Sequence, residues 1–102
     1  MAARKVIWSQ NATEQLNEIL NYYLQRNGNN VYGSKLYKKI IGAARILSKQ
    51  SLIGKKTEHE NIRVMAIGFY LMFYELTEKQ IEILIVWDGR RNPKQLINLL
   101  KD

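Results

Sequence analysis

Three stretches rich in β-branched and aromatic residues, 63–67, 69–76 and 80–87, follow one another with nothing between them but Gly68 and Thr77-Glu78-Lys79. Antiparallel strands can be joined by two or three residues, whereas parallel strands need a crossover of a dozen or more. The last part of the chain is therefore expected to form a β-meander of two tight hairpins. In the middle stretch Phe69, Leu71 and Phe73 alternate with Tyr70, Met72 and Tyr74, so neither face of the sheet is plainly polar. Each face needs cover, and amphipathic tyrosines suit a surface that is half wet.

The preceding half supplies one layer of cover. Lys5-Val6-Ile7-Trp8 reads as a short opening strand. Asn11 is expected to cap a helix, with Glu14 three residues on returning the capping bond. Ala12, Leu16, Ile19, Leu20, Tyr23 and Leu24 then recur at three- and four-residue spacings. Gly28 stops that helix, being able to take the left-handed cap conformation without penalty. A second helix is expected over 31–49. Its Leu36, Ile40, Ala43, Ala44 and Leu47 share one arc, while Lys35, Lys38, Lys39, Arg45 and Lys49 lie nearly opposite with no acid among them. The short link makes the helices antiparallel neighbours. Residues 51–61 are polar and read as a surface loop. Asn92 and Pro93 can start a short last helix carrying Leu96, Ile97, Leu99 and Leu100. Either that helix or a partner protein covers the second sheet face. The expected architecture is thus α+β, a helical hairpin packed on an antiparallel β-sheet in the order β-α-α-β-β-β with a short C-terminal helix.

With 102 residues the chain is expected to be a single domain spanning 1–102. It has no cysteine, which removes disulfides and thiolate metal sites; no metal or small-molecule cofactor is expected. No apolar run approaches the length of a membrane span, and the N-terminus lacks the apolar core of a secretory signal, so a cytoplasmic protein without membrane contact is expected. The net charge is +7, with eight basic and two acidic residues in 1–53 against eight and seven in 54–102. Such a field attracts anionic partners, whether nucleic acid or an acidic protein.

The strand ending at Trp87 runs into Asp88-Gly89-Arg90-Arg91-Asn92-Pro93. Two guanidinium groups at the end of a rigid strand suit carboxylate or phosphate oxygens, which planar forks engage two at a time. Alternatively they bond the carboxylates of Asp88 or Glu82 and do nothing more.

Nearly the whole chain resembles the RelE/ParE superfamily of bacterial type II toxins. The matching pieces are Trp8 followed by the amphipathic helix from Ala12 to Leu24, Ile62-Arg63-Val64, the aromatic strand Tyr70-Leu71-Met72-Phe73-Tyr74, and Trp87-Asp88-Gly89-Arg90-Arg91-Asn92-Pro93. The resemblance implies a growth-inhibiting toxin of the plasmid-stabilisation kind, silenced by a cognate antitoxin protein whose toxin-binding segment is acidic. ParE-like members poison DNA gyrase and are not nucleases. RelE-like members enter the ribosome and cut mRNA without a metal.

For the nuclease branch, Arg63 and Arg90 with Lys55 and Lys56 of the preceding loop would stabilise the charge of the phosphorane. His59 or Glu58 would have to supply the base by folding inward. Many nucleolytic relatives carry a histidine or tyrosine near the C-terminal end, and none follows Trp87 here. The Asp-Gly-Arg-Arg-Asn-Pro string is closer to the ParE-like branch, which makes Arg90, Arg91, Tyr70, Tyr74 and Lys94 the expected surface for target or antitoxin, and gyrase the expected target.

Overall fold

The computed structural model describes residues 3–91. The elements are β1 (Lys5–Trp8), α1 (Gln10–Asn27), α2 (Val31–Lys49), β2 (Lys55–Lys56), β3 (Ile62–Ile67), β4 (Tyr70–Leu76) and β5 (Gln80–Asp88). The helix expected from Asn92, and with it Lys94, lies outside the described residues.

The helical hairpin packs on the sheet as expected, and three departures have clear physical causes. First, the sheet is mixed rather than antiparallel. Its order is β1-β5-β4-β3-β2, and β1 lies parallel to β5, with Lys5 opposite Gln80 and Trp8 opposite Ile83. The two helices and the intervening strands serve as the long crossover that a parallel pair requires. Second, Lys55 and Lys56, expected in a loop, pair with Val64 and Arg63 as a short edge strand. Third, α1 starts earlier than Asn11. Ser9 is the N-cap, its Oγ accepting the Ala12 N–H at 3.0 Å and donating to the Leu84 carbonyl at 3.0 Å. One hydroxyl thus caps the helix and ties its start to β5. Glu14 instead accepts from the Gln10 side chain.

The other helix boundaries follow the sequence. Gly28 takes φ 73° and donates its N–H to the Leu24 carbonyl, ending α1 in the left-handed cap. In α2, Leu36, Ile40, Ala44 and Leu47 are buried while the five basic residues opposite are exposed. Among the described residues no helix is long and apolar enough to cross a membrane.

Beneath the helices, Tyr70, Met72 and Tyr74 of β4 and Ile81, Ile83 and Val86 of β5 join Leu16, Ile40 and Leu47 in one core. Each aliphatic side chain buried this fully stabilises the fold by about 1.5–3 kcal/mol relative to exposure. The tyrosines therefore lie under the helical hairpin and not on a half-wet face. Phe73, Ile85 and Trp87 form a second buried cluster on the other side of the sheet, with Val64 and Leu71 packed against it. An irregularity between Phe73 and Tyr74 shifts the β4–β5 register, pairing Phe73 with Ile85 and Tyr74 with Ile83. The unpaired Leu84 changes the alternation, so that Ile81 and Ile83 share a face with Val86.

Candidate functional site

At the exit of β5 the backbone is held by Tyr70 on β4, which pairs with Asp88. The Gly89 N–H then donates to the Phe69 carbonyl at 2.7 Å, so close that a Cβ on Gly89 would stand 2.9 Å from that oxygen. Only glycine fits this step without displacing the β3–β4 turn. The Arg91 N–H donates to the Asp88 carbonyl at 2.9 Å, closing a turn that sends both arginines off the end of the sheet.

Asp88 fixes the first of them. Its Oδ1 accepts the Arg90 backbone N–H at 2.9 Å and Nε at 3.0 Å, and its Oδ2 accepts Nη2 at 2.9 Å. This two-point grip orients the guanidinium without hiding it, since the Arg90 side chain is 54% exposed. The Arg90 hydrogen bond holds the Asp88 carboxyl below the usual carboxylate range, and Asp88 in turn pushes the guanidinium pKa further up. The Arg90 guanidinium also lies 4.8 Å above the ring of Phe69, and that of Arg91 lies 4.7 Å from the ring of Trp87. Of the two carboxylates that sequence offered as partners, Asp88 is engaged and Glu82 is not.

Between these arginines and α1 lies a cavity of about 390 Å³, whose lining includes Gln15, Tyr22, Tyr23, Arg26 and Tyr70. The hydroxyls of Tyr23 and Tyr70 are 3.0 Å apart. Burial, then the Tyr23 hydrogen bond, pushes the Tyr70 phenol up; the Tyr70 hydrogen bond and then the nearby Arg90 charge hold Tyr23 down. The two hydroxyls thus share one hydrogen bond at the inner end of the cavity. The Gln15 side chain accepts the Val86 N–H at 2.8 Å, satisfying a backbone donor beside the β5 irregularity. Gln15, Tyr23 and Arg26 were not singled out from sequence. The available signal was the polar stripe Gln15, Glu18, Tyr22, Arg26 bordering the apolar face of α1, at helical spacing.

The remaining sequence candidates lie elsewhere. The Arg63 guanidinium donates to the carbonyls of Leu52 at 3.2 Å and Gly54 at 2.8 Å, bracing the α2–β2 connection. Lys55 and Lys56 are exposed beside it on β2, and His59 is exposed in the following turn. Arg63 pairs with Tyr74, whereas Asp88 pairs with Tyr70, four residues along β4. At about 3.3 Å per residue this sets the backbone positions of Arg63 and Asp88 roughly 13 Å apart along the strand direction. Tyr74 is fully buried, its hydroxyl occupied by Gly54 and Ser51, so it offers a partner no surface.

Two solved structures share this architecture of helical hairpin on mixed sheet. A chain of the chromosomal ParDE toxin-antitoxin system from P. aeruginosa matches with a TM-score of 0.71 at 18% identity, over 82% of this chain and 94% of that one. A chain of the E. coli DinJ-YafQ toxin-antitoxin complex matches with a TM-score of 0.56 at 12% identity, over 84% and 92% respectively. No curated protein sequence matches the chain. The match of a family model over most of the chain places it in the RelE/ParE superfamily of type II toxins. Within it, residues 6–93 match the model of the ParE toxin of the type II toxin-antitoxin system parDE, and the chain belongs to that family.

Proposed function

We propose that this ParE-family toxin inhibits growth in the bacterial cytoplasm by binding and poisoning DNA gyrase, and that a cognate antitoxin neutralises it. Arg90 and Arg91, with Lys94 close behind in sequence, are its working surface, while Tyr70, buried under the helices, contributes only to the lining of the adjoining cavity. The observation that carries this reading is the way Asp88 grips Arg90 through Nε and Nη2 while over half of the side chain stays exposed at the cavity rim. An oriented cation of this kind suits recognition of a carboxylate or phosphate on a macromolecular target.

The alternative, a ribosome-dependent mRNA endoribonuclease, needs Arg63, Arg90, Lys55 and Lys56 around one phosphate. Their division between two ends of β4 supports the gyrase reading instead. So does the engagement of Arg63 with two main-chain carbonyls.

Induction of the toxin in a sensitive host separates the two. Gyrase–DNA cleavage complexes and an SOS response are expected, and Arg90→Ala with Arg91→Ala should abolish them while the domain stays folded. Cleavage of transcripts within translated codons while supercoiling remains normal would overturn the proposal.

A further inference from the structure

The most exposed large apolar side chain among the described residues is Phe69, at 66%. It stands with Gly68 in the loop between β3 and β4, where Ile67 pairs with Tyr70. A side chain at a hairpin tip is held only as firmly as its backbone. Here the Phe69 carbonyl accepts the Gly89 N–H at 2.7 Å, which locks the tip to the exit of β5. The Arg90 guanidinium lies 4.8 Å from the ring centroid on one face. With the side chain so exposed, the opposite face and the ring edge meet solvent.

Two cations accompany the ring. Asp88 orients Arg90, and Arg91, also exposed, has its guanidinium 4.7 Å from the ring of Trp87. A carboxylate on a protein would use the guanidinium groups and leave the open face of Phe69 idle. An apolar anchor on a protein would use the ring and bury the cations without a partner, which is costly. A nucleotide joins a flat base to an anionic phosphate and uses both features. Paired DNA hides the faces of its bases inside the stack, whereas an unpaired strand offers them. The 2′-hydroxyl that distinguishes RNA would look to Asp88 for an acceptor, and both of its oxygens are taken by Arg90.

We propose that Phe69, Arg90 and Arg91 form a binding tip for unpaired DNA, in which one base stacks on the open face of Phe69 and the adjoining phosphates engage the two guanidinium groups. The Gly89 contact fixes the ring, and the Asp88 grip fixes the first fork. The inference deepens the gyrase reading and rests on it for the source of the DNA, because a duplex opened at a cut supplies unpaired bases beside phosphates. On this account the toxin holds the broken strand as well as the enzyme. Binding of DNA by the tip is a property of this chain, and it is tested without gyrase.

The test measures binding of the full chain to a fluorescein-labelled oligothymidylate of about twelve nucleotides, by anisotropy across a range of salt concentrations. Saturable binding that weakens with salt is expected. Phe69→Ala and Phe69→Leu, at an exposed position, should each weaken it about fivefold or more at every salt concentration, and Phe69→Trp should preserve it. Arg90→Ala should instead flatten the slope of log affinity against log salt by about 0.7. Undiminished affinity in Phe69→Ala or Phe69→Leu, tighter binding of oligouridylate of the same length through the same residues, or capture of polyglutamate at Arg90 and Arg91 in place of the oligothymidylate would each overturn the proposal. Gyrase–DNA cleavage complexes, scored in parallel, keep the two readings apart. Their absence with oligothymidylate binding intact removes gyrase and leaves the tip supported; their presence without such binding removes the tip alone.

Discussion

The Tyr74 hydroxyl accepts the Gly54 N–H at 3.0 Å and donates to the Ser51 carbonyl at 2.8 Å, so one buried side chain of β4 holds the whole turn between α2 and β2. A Cβ at Gly54 would lie 2.6 Å from that hydroxyl and 2.9 Å from the Val64 carbonyl. Gly54→Ala must therefore push the loop off the sheet, at a cost of about 1–3 kcal/mol. Tyr74→Phe leaves the Gly54 N–H and Ser51 carbonyl without their partner, costing about 1–3 kcal/mol as well. Urea denaturation measures both; because the two changes disrupt one contact, the double variant should lose less than the sum of the singles.

Burial raises the Tyr74 pKa above its ordinary value, only partly offset by the Gly54 hydrogen bond and the Arg63 charge. The unfolded chain then loses this proton first as pH rises. Stability from this group is intact below about pH 10, the ordinary tyrosine value, and declines as pH climbs from there through the raised folded value. Unfolding free energies at neutral and at strongly alkaline pH should show the decline, and Tyr74→Phe should make it shallower. An identical slope in the variant would remove Tyr74 as its source.

For Asp88 the direction is reversed. Its pKa is held down chiefly by the Arg90 side chain, so the stabilisation is present above the ordinary carboxylate range and lost as pH falls through the lower folded value. Arg90→Ala should move the Asp88 carboxyl titration, followed by NMR, back up toward about 3.9. No movement would mean that the grip seen between the two residues does not persist in solution.

Gln15→Leu should be more damaging than its position on the border of α1 suggests. The Val86 backbone N–H, on a residue 2% exposed, has the Gln15 carbonyl as its acceptor. Losing it strands a buried donor, at about 1–3 kcal/mol. Hydrogen exchange at Val86 should accelerate more than at Ile81, which lies on the same face beyond the irregularity.

Local chemistry made most of the scaffold legible. Gly28 ended α1, the period of Leu36, Ile40, Ala44 and Leu47 gave α2, and Gly68 marked the first hairpin; its loop takes in Phe69 as well, so that Ile67 pairs with Tyr70 and a φ of 61° at the glycine supplies the twist. What escaped depends on partners distant in the chain. Nothing within Lys5–Trp8 indicates that it joins β5 in parallel, and nothing in Leu84 announces that it interrupts the ladder. By local sequence Asn11 and Glu14 offer a capping box that competes with Ser9, and Ser9 is selected by its second bond, to the distant Leu84. At the site, the two arginines were readable from their place after a strand. The Tyr23–Tyr70 pair and the role of Gln15 required knowing that α1 crosses the end of β5.

The parallel seating of β1 against β5 also sets an order of events during synthesis. Lys5 waits for Gln80 and Trp8 for Ile83, so β1 finds its partner only after more than seventy further residues have been made. Such long-range pairing is slow to form and comes late. A nascent chain ending short of β5 has neither this closure nor the arginine-bearing turn, so the same nine-residue strand completes the sheet and delivers both guanidinium groups.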